Sequence, residues 1–469
     1  MTTPTTGSPT AQFEEISLYE KRANIYQKEV TGRFQNLRAA TLFLLAAVFF
    51  AGPWWRYGDR QAIWLDLPAR RFHFFGVTFW PQDFILLSWL LITGAFGLFF
   101  FTNLAGRVWC GYGCPQTVWT KFFMWIEWLT EGDRNQRIML DRAPWSSRKL
   151  VRKTAKHLLW VVLASAVGIT FLGYFSPIRE LLASMASLDL GRTQIVAIVF
   201  FSGALYVDAG WMREQICKYA CPYARFQGAM FDASTLTIFY DRKRGEPRGH
   251  RRPSVGAAKN GLGDCVDCGA CVHVCPTGID IRDGTQYECI GCAACIDACD
   301  EIMDKMGYAR GLVRYATEKS ITGGRMRVLR PRLAAYGVVF LTMLSGLTYA
   351  LANRVPLELD ILRERNRLYR ETSDGDIENV YRLRILNMDQ KTHRYAITAS
   401  GIDGLVYEGN AEVDVAPGEI GDVPVRLQAP GSVVHGGSTK IRFEVNTTDG
   451  SGLSVKEESR FLAPDRGQP

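Results

Sequence analysis

The sequence predicts a multi-domain membrane protein: a five-span α-helical bundle built from a two-span repeat, a cysteine-rich α+β domain, and a C-terminal β-sandwich. Three observations predict it. Five long windows are almost free of charge, all 12 cysteines fall between Cys110 and Cys299, and the last hundred residues alternate apolar and polar positions between turn residues.

The windows come first. Residues 39–55, 84–106, 158–178 and 333–353 carry no charged side chain, and 193–212 is broken only by Asp208. Each is near the roughly 20 apolar residues that cross a hydrocarbon core, and helices of a soluble core rarely show so many uncharged windows of this length. Spans are expected at about 37–55, 84–106, 157–178, 193–212 and 331–353. Residues 1–36 read as a tail, disordered and then a short polar helix; it has no apolar core of a signal peptide, so the first window is expected to stay as a span.

Lys and Arg set the orientation, because basic residues in short loops stay on the cytoplasmic side. With the N-terminus inside, segments 1–38, 107–156 and 213–332 hold 5, 10 and 19 basic residues, and the outer loops 56–83 and 179–192 hold 4 and 2. The loop 107–156 and the domain at 213–330 are therefore expected in the cytoplasm, and 354–469 outside. Residues 371–469 carry 10 Lys/Arg against 16 Asp/Glu. The basic excess of the remainder is thus a topology signal, and no nucleic acid is expected as a partner.

The cysteines carry the chemistry. Residues 265–276 read CVDCGACVHVCP and 289–300 read CIGCAACIDACD. The spacing C-x2-C-x2-C-x3-C, twice, is that of a bacterial-type 2[4Fe–4S] ferredoxin, in which the fourth cysteine of each run ligates the other cluster. One cluster is then assigned Cys265, Cys268, Cys271 and Cys299, and the other Cys289, Cys292, Cys295 and Cys275. Structural zinc sites usually use two separated pairs, which this is not. Gly269, Ala270, Gly291 and Ala294 are small enough for the chain to wrap a cluster closely. Asp300 replaces the proline that follows Cys275, and His273, between two ligands, reads as a surface imidazole in preference to a proton carrier.

Four cysteines remain. CGYGCP at 110–115 and CKYACP at 217–222 each follow the second apolar window of a pair, and each precedes an Asp-Arg step, Asp133-Arg134 and Asp241-Arg242. Two halves of similar plan, 34–142 and 155–244, would bring Cys110, Cys114, Cys217 and Cys221 to one interface. The proline biases Cys114 and Cys221 away from helical geometry, so each motif is expected at a helix end. These four are the candidate catalytic residues and candidate copper ligands, with Asp208 a weaker metal candidate. Copper, a third cluster and disulfide exchange are all open on spacing. Depressed thiol pKa values would help the redox routes, with Arg107, Arg213 and Lys218 as their cause.

After the fifth window, LELDILRERNRLYRE reads as a charged linker. The stretches YRLRILNM, HRYAITASGI, VPVRLQAP and TKIRFEVNTTDG then alternate with period two, as the strands of a small antiparallel, Ig-like sandwich do. Its only histidines are His393 and His435, and it reads as an interaction module.

RVWCGYGCPQTVWTKFFMWIE, EGDRNQR, CKYACPYARFQ, the double ferredoxin run, CDEIMDKMGYARGLVRY and the outer sandwich together resemble the accessory proteins for cbb3-type cytochrome c oxidase assembly. The resemblance runs from about residue 15 to the C-terminus. It implies a bacterial inner-membrane iron–sulfur protein, a cupric reductase that converts Cu(II) to Cu(I) for the oxidase's haem–copper centre. Two [4Fe–4S] clusters are its cofactors and copper is its substrate. Expected partners are the lipid bilayer, a cytoplasmic electron donor, and oxidase assembly factors or copper carriers, with a homodimer left open. A quinol-linked membrane ferredoxin and a non-enzymatic assembly scaffold are the alternatives.

Overall fold

The computed structural model describes residues 24–251, 261–324, 330–364, 367–373, 375–434 and 437–464. His435 and the start of the tail lie outside the described residues. Among the described residues, five helices are long and apolar enough to cross a bilayer: Arg33–Trp54, Pro81–Ala105, Ser147–Leu172, Arg192–Met212 and Pro331–Ala352. The third begins about ten residues before its uncharged window. Ser146 caps it, accepting the Lys149 amide, and Lys149, Lys153 and Lys156 then find acceptors on neighbouring elements. Lys149 Nζ donates to Ala143 O at 2.7 Å, and Lys153 and Lys156 each reach Glu131 at 2.9 Å. Long basic side chains of this kind let a helix continue past the apolar layer.

The second and fifth spanning helices pack together because both carry glycine at the crossing. A Cβ on Gly97 would lie 2.9 Å from the Phe340 ring, and one on Gly337 3.1 Å from Phe100. Small residues permit such close approach where lipid offers no hydrophobic drive. Their outer ends are tied by Arg354 and Asp83 at 2.6 Å.

The first spanning helix starts on the cysteine-rich domain. Residues 24–31, expected to be partly helical, are an irregular strap: the Gln27 side chain donates to Val274 O at 2.7 Å and the Lys28 amide to His273 O at 2.8 Å. At the helix entry the Asp297 carboxylate accepts the amides of Phe34 and Gln35 at 3.3 and 2.7 Å. A carboxylate on a helix N-terminus satisfies donors that have no intrahelical partner. Asp297→Ala is expected to cost about 1–2 kcal/mol, read as a lowered thermal midpoint in detergent, with most of it recovered in Asp297→Asn.

The cysteine-rich domain pairs Thr237–Tyr240 antiparallel with Val313–Ala316 and covers this ribbon with the helix Ala294–Met306. Ile238, Tyr240, Ile281, Ile296, Met303 and Leu312 form its core.

The C-terminal domain is the expected sandwich. One sheet orders Val406–Gly409, Ile420–Ala429, Ile377–Asn387 and Leu357–Arg363, and the other Glu412–Val415, His393–Ser400, Ser438–Thr447 and Ser454–Leu462. Tyr381, Leu383, Val425, Tyr395, Phe443 and Phe461 fill the space between them. The stretch read as a charged linker opens with the strand Leu357–Arg363, because Leu357 and Leu359 are buried in the sandwich core while Asp360 is exposed. Its charge disguised a period of two. The sandwich rests on the outer loop of the first two spans: Trp80 packs on Leu386 and Met388, and Arg71, 4.7 Å over the Trp80 ring, donates to Gly418 O at 2.9 Å. His393 is clamped between Asp389 and Asp449, a structural ion trio.

Candidate functional site

The two cysteine runs fold alike. In the first, Asp267 and Gly269 take left-handed φ of 53° and 68° and a helical turn, Ala270–His273, carries Cys271. In the second, Gly291 and Ala293 take φ of 68° and 58°, and Ala294–Met306 carries Cys295 and Cys299 one turn apart. Left-handed residues bend the chain back over what it encloses. Cys265, Cys268, Cys271 and Cys299 line one pocket together with Tyr240 and Met303. Cys275, Cys289, the buried Cys292 and Cys295 lie within one another's electrostatic reach. The fourth cysteine of each run thus sits with the other run. Backbone amides meet the sulfurs: Gly291 N–H at Cys289, Thr277 and Ile279 N–H at Cys275, Val313 N–H at Cys299. Thiolates in a buried, N–H-rich cradle are the donor set of a [4Fe–4S] cube, so these residues fit two such clusters. His273 is exposed, and Asp300 accepts the Gly311 amide at 2.9 Å; both serve the local fold.

The membrane-side cysteines converge. Cys110 rides on the short helix Val108–Tyr112, and Cys217 on a widened helical turn, Ile216–Ala220. Cys114 and Cys221 share one conformation, φ −67°, ψ 129° and φ −74°, ψ 114°, each capping a helix whose first residue is the proline. Pro at the first helical position removes an amide that would have had no partner. Cys110 and Cys114 therefore lie on two helical segments, and the two pairs meet across the repeat: Cys110 feels Cys114, Cys217 and Cys221, and Cys217 feels Cys114 and Cys221. Asp208, opening another widened turn, Asp208–Met212, is within reach of Cys114 and Cys217. Its Oδ1 is buried without a hydrogen-bond partner.

The expected lowering of the thiol pKa values is corrected by burial. Desolvation pushes Cys110 up to about 12 and Cys217 to about 11, while Arg107 pulls the other way and is outweighed. Arg213 is taken by Glu127 at 2.6 Å. Burial thus favours the protonated form of Cys110 and Cys217, and loading must displace their protons.

What the sequence did not reveal is the contact between the two cysteine systems. A Cβ on Gly111 would lie 3.0 Å from Cys292 Cα, Gly291 O and Ile290 O. Arg107, 4% exposed, donates to Cys289 O at 3.3 Å and to Ala224 O at 3.0 Å. Arg38 Nε reaches Gly111 O at 3.0 Å, and the Tyr315 hydroxyl reaches Gly291 O at 2.7 Å. Cys110 packs against the apolar cluster that contains Cys292. The only sequence trace of this contact is the glycine inside CGYGCP.

Comparison with known proteins places these features. Residues 87–135 match a family described as a 4Fe-4S binding domain, 212–318 a 4Fe-4S dicluster domain, and 347–464 the IG-like fold at the C-terminus of FixG. Nitrogen fixation protein FixG of Rhizobium meliloti is 40% identical over 82% of this chain and 80% of its own. Protein RdxA of Cereibacter sphaeroides is 38% identical over 92% of this chain and 95% of its own. Among solved structures, a FixG-related protein from Vibrio parahaemolyticus is 28% identical, covering 23% of this chain and 95% of that one, with a TM-score of 0.21.

Proposed function

Since the chain belongs to the FixG and RdxA family of cbb3-type cytochrome c oxidase accessory proteins, we propose that this membrane iron–sulfur electron-transfer protein reduces Cu(II) to Cu(I) for the oxidase's haem–copper centre. The observation that carries the reading is the contact of Cys110 and Gly111 with the Cys289–Cys292 loop. This packing of Cys110 on the ferredoxin domain supports an electron path to the membrane-side thiols.

Cys265, Cys268, Cys271 and Cys299 would hold one [4Fe–4S] cluster, and Cys289, Cys292, Cys295 and Cys275 the other. When bound, these clusters supply single electrons, and one electron per Cu(II) is what the reduction consumes. The chain's own residues set the geometry. Gly111 lets the Cys110 turn lie flat on the Cys292 backbone, Arg107 pins the Cys289 carbonyl to that turn, and Asp297 fixes the first span to the same helix that carries Cys295. Soft sulfur donors favour Cu(I) over Cu(II), so a thiol-lined end suits the reduced product. The basic loops support a reading with the N-terminus and ferredoxin domain in the cytoplasm beside the electron donor, and the sandwich in the periplasm, where oxidase assembly factors or copper carriers would meet it.

The test is direct. In chemically reduced, full-length protein, Cu(II) is expected to restore promptly the visible iron–sulfur absorbance that reduction had bleached, and Cys110→Ala or Cys217→Ala is expected to abolish the response. Oxidation by a quinone and not by copper would favour a quinol-linked ferredoxin; indifference to both would leave an assembly scaffold.

A further inference from the structure

The four membrane-side cysteines share more with the ferredoxin ligands than their side-chain chemistry. In CGYGCP and in the stretch 271–276, a helical turn carries the first cysteine and a Cys-Pro step follows two residues beyond it. In both, the sulfur of the Cys-Pro step accepts the amide two residues on: Gln116 N–H at Cys114, with Thr117 N–H beside it, and Thr277 N–H at Cys275. N–H donors on sulfur are a hallmark of iron–sulfur ligation, because they hold and tune thiolates bound to iron.

The surroundings suit a guest of net negative charge. Arg107 is buried next to Cys110 and Cys217. The helices Pro115–Glu131 and Pro222–Met230 both begin at the site, and helix N-termini carry partial positive charge.

Neither here nor at the two ferredoxin quartets are three His, Cys, Asp or Glu side chains, among the described residues, grouped closely enough to hold one metal ion. A cube distributes its four ligands over four irons, so its sulfurs need not meet at one centre. The stretch 87–135, which matches a 4Fe-4S binding family, contains only two cysteines, Cys110 and Cys114. The second half of the repeat brings the other two.

We propose that Cys110, Cys114, Cys217 and Cys221 hold a third [4Fe–4S] cluster, ligated two-and-two across the membrane repeat and seated against the Cys289–Cys292 loop. Loading replaces four S–H bonds by four Fe–S bonds and releases four protons, with no net electron transfer. The inference deepens the reading of these cysteines as the membrane-side redox centre and does not require copper to be the substrate.

The experiment is a count. Full-length protein purified anaerobically and reconstituted with iron and sulfide is expected to hold about twelve irons and as many acid-labile sulfides per chain. The double variant Cys110→Ser/Cys217→Ser is expected to hold about eight, with two of three reduced-state paramagnetic centres retained. Those retained signals show that the ferredoxin domain is folded. A wild-type count near eight overturns the proposal without any variant. Tightly bound copper lost on mutation would then identify a copper site, and four freely alkylated thiols would identify an empty one. A third cluster in a protein that ignores Cu(II) would sink the copper reading and leave this one standing.

Discussion

Replacing Glu127 by alanine is expected to destabilise the membrane half by about 3–5 kcal/mol, the range for removing one partner of a buried ion pair. Glu127 is 7% exposed and accepts from Arg213 at 2.6 and 3.2 Å and from Arg137 at 3.0 Å. Burial alone would raise its carboxyl, but Arg213, Lys156 and Arg137 outweigh burial and hold it below the usual carboxylate range. Without it, the guanidinium groups of Arg137 and Arg213 lose the carboxylate they share. Glu127→Gln keeps the volume and one acceptor and is expected to fall between. The pH dependence follows from the depressed folded-state pKa: the stabilisation is complete above the ordinary glutamate pKa and is lost as pH falls through the lower folded value. Thermal midpoints in detergent at neutral and acid pH should therefore converge for the Gln variant and the native protein only on the acid side. The consequence reaches the redox site, because Glu127 and Arg213 belong to opposite halves of the repeat. Arg213 holds φ at 43°, between the two widened turns that lead to Cys217. Releasing it should separate Cys217 and Cys221 from Cys110 and Cys114 while leaving the ferredoxin domain intact.

Charge exclusion by the bilayer and the fixed grammar of cysteine spacing made the spans and the ferredoxin block legible in sequence. The ends of the spans were less so. The third helix continues into a basic stretch because Glu131 and backbone carbonyls receive its lysines, and a charge count cannot see acceptors on another element. The strand Leu357–Arg363 was hidden because its charges are conspicuous and its two buried leucines are not. The repeat announced that two cysteine pairs would meet. It could not announce that they would meet in a dry place, so the adjacent Arg107 suggested acidic thiols where burial keeps them protonated. Contacts made backbone to backbone, such as Gly111 on Cys292, leave only an unexplained glycine in the sequence.

Each ferredoxin run is expected to surrender its last cysteine to the other cluster, and paired substitutions can show it. Cys299 stands one turn beyond Cys295 on the same helix, yet it shares a pocket with Cys265, Cys268 and Cys271, while Cys295 lies within electrostatic reach of Cys292, Cys289 and Cys275. Residues four apart on a helix lie on one face about one turn, or roughly 5–6 Å, apart, which is enough for two neighbouring ligands to serve two different clusters. Cys299→Ala alone, and Cys265→Ala alone, are each expected to lose about four irons. The double variant should lose no more, because both substitutions empty the same site; effects of residues that act as one unit do not add. Cys299→Ala with Cys289→Ala should instead lose about eight. The reverse pattern, with Cys299 and Cys289 failing to add and Cys299 and Cys265 adding, would mean that each run serves its own cluster. The exchange has a mechanical consequence that the same variants probe. A helix whose two cysteines are fixed to different clusters is held at both turns, and that helix also carries Asp297, the cap of the first spanning helix. Loss of either cluster should therefore lower the thermal midpoint of the membrane half as well as that of the ferredoxin domain.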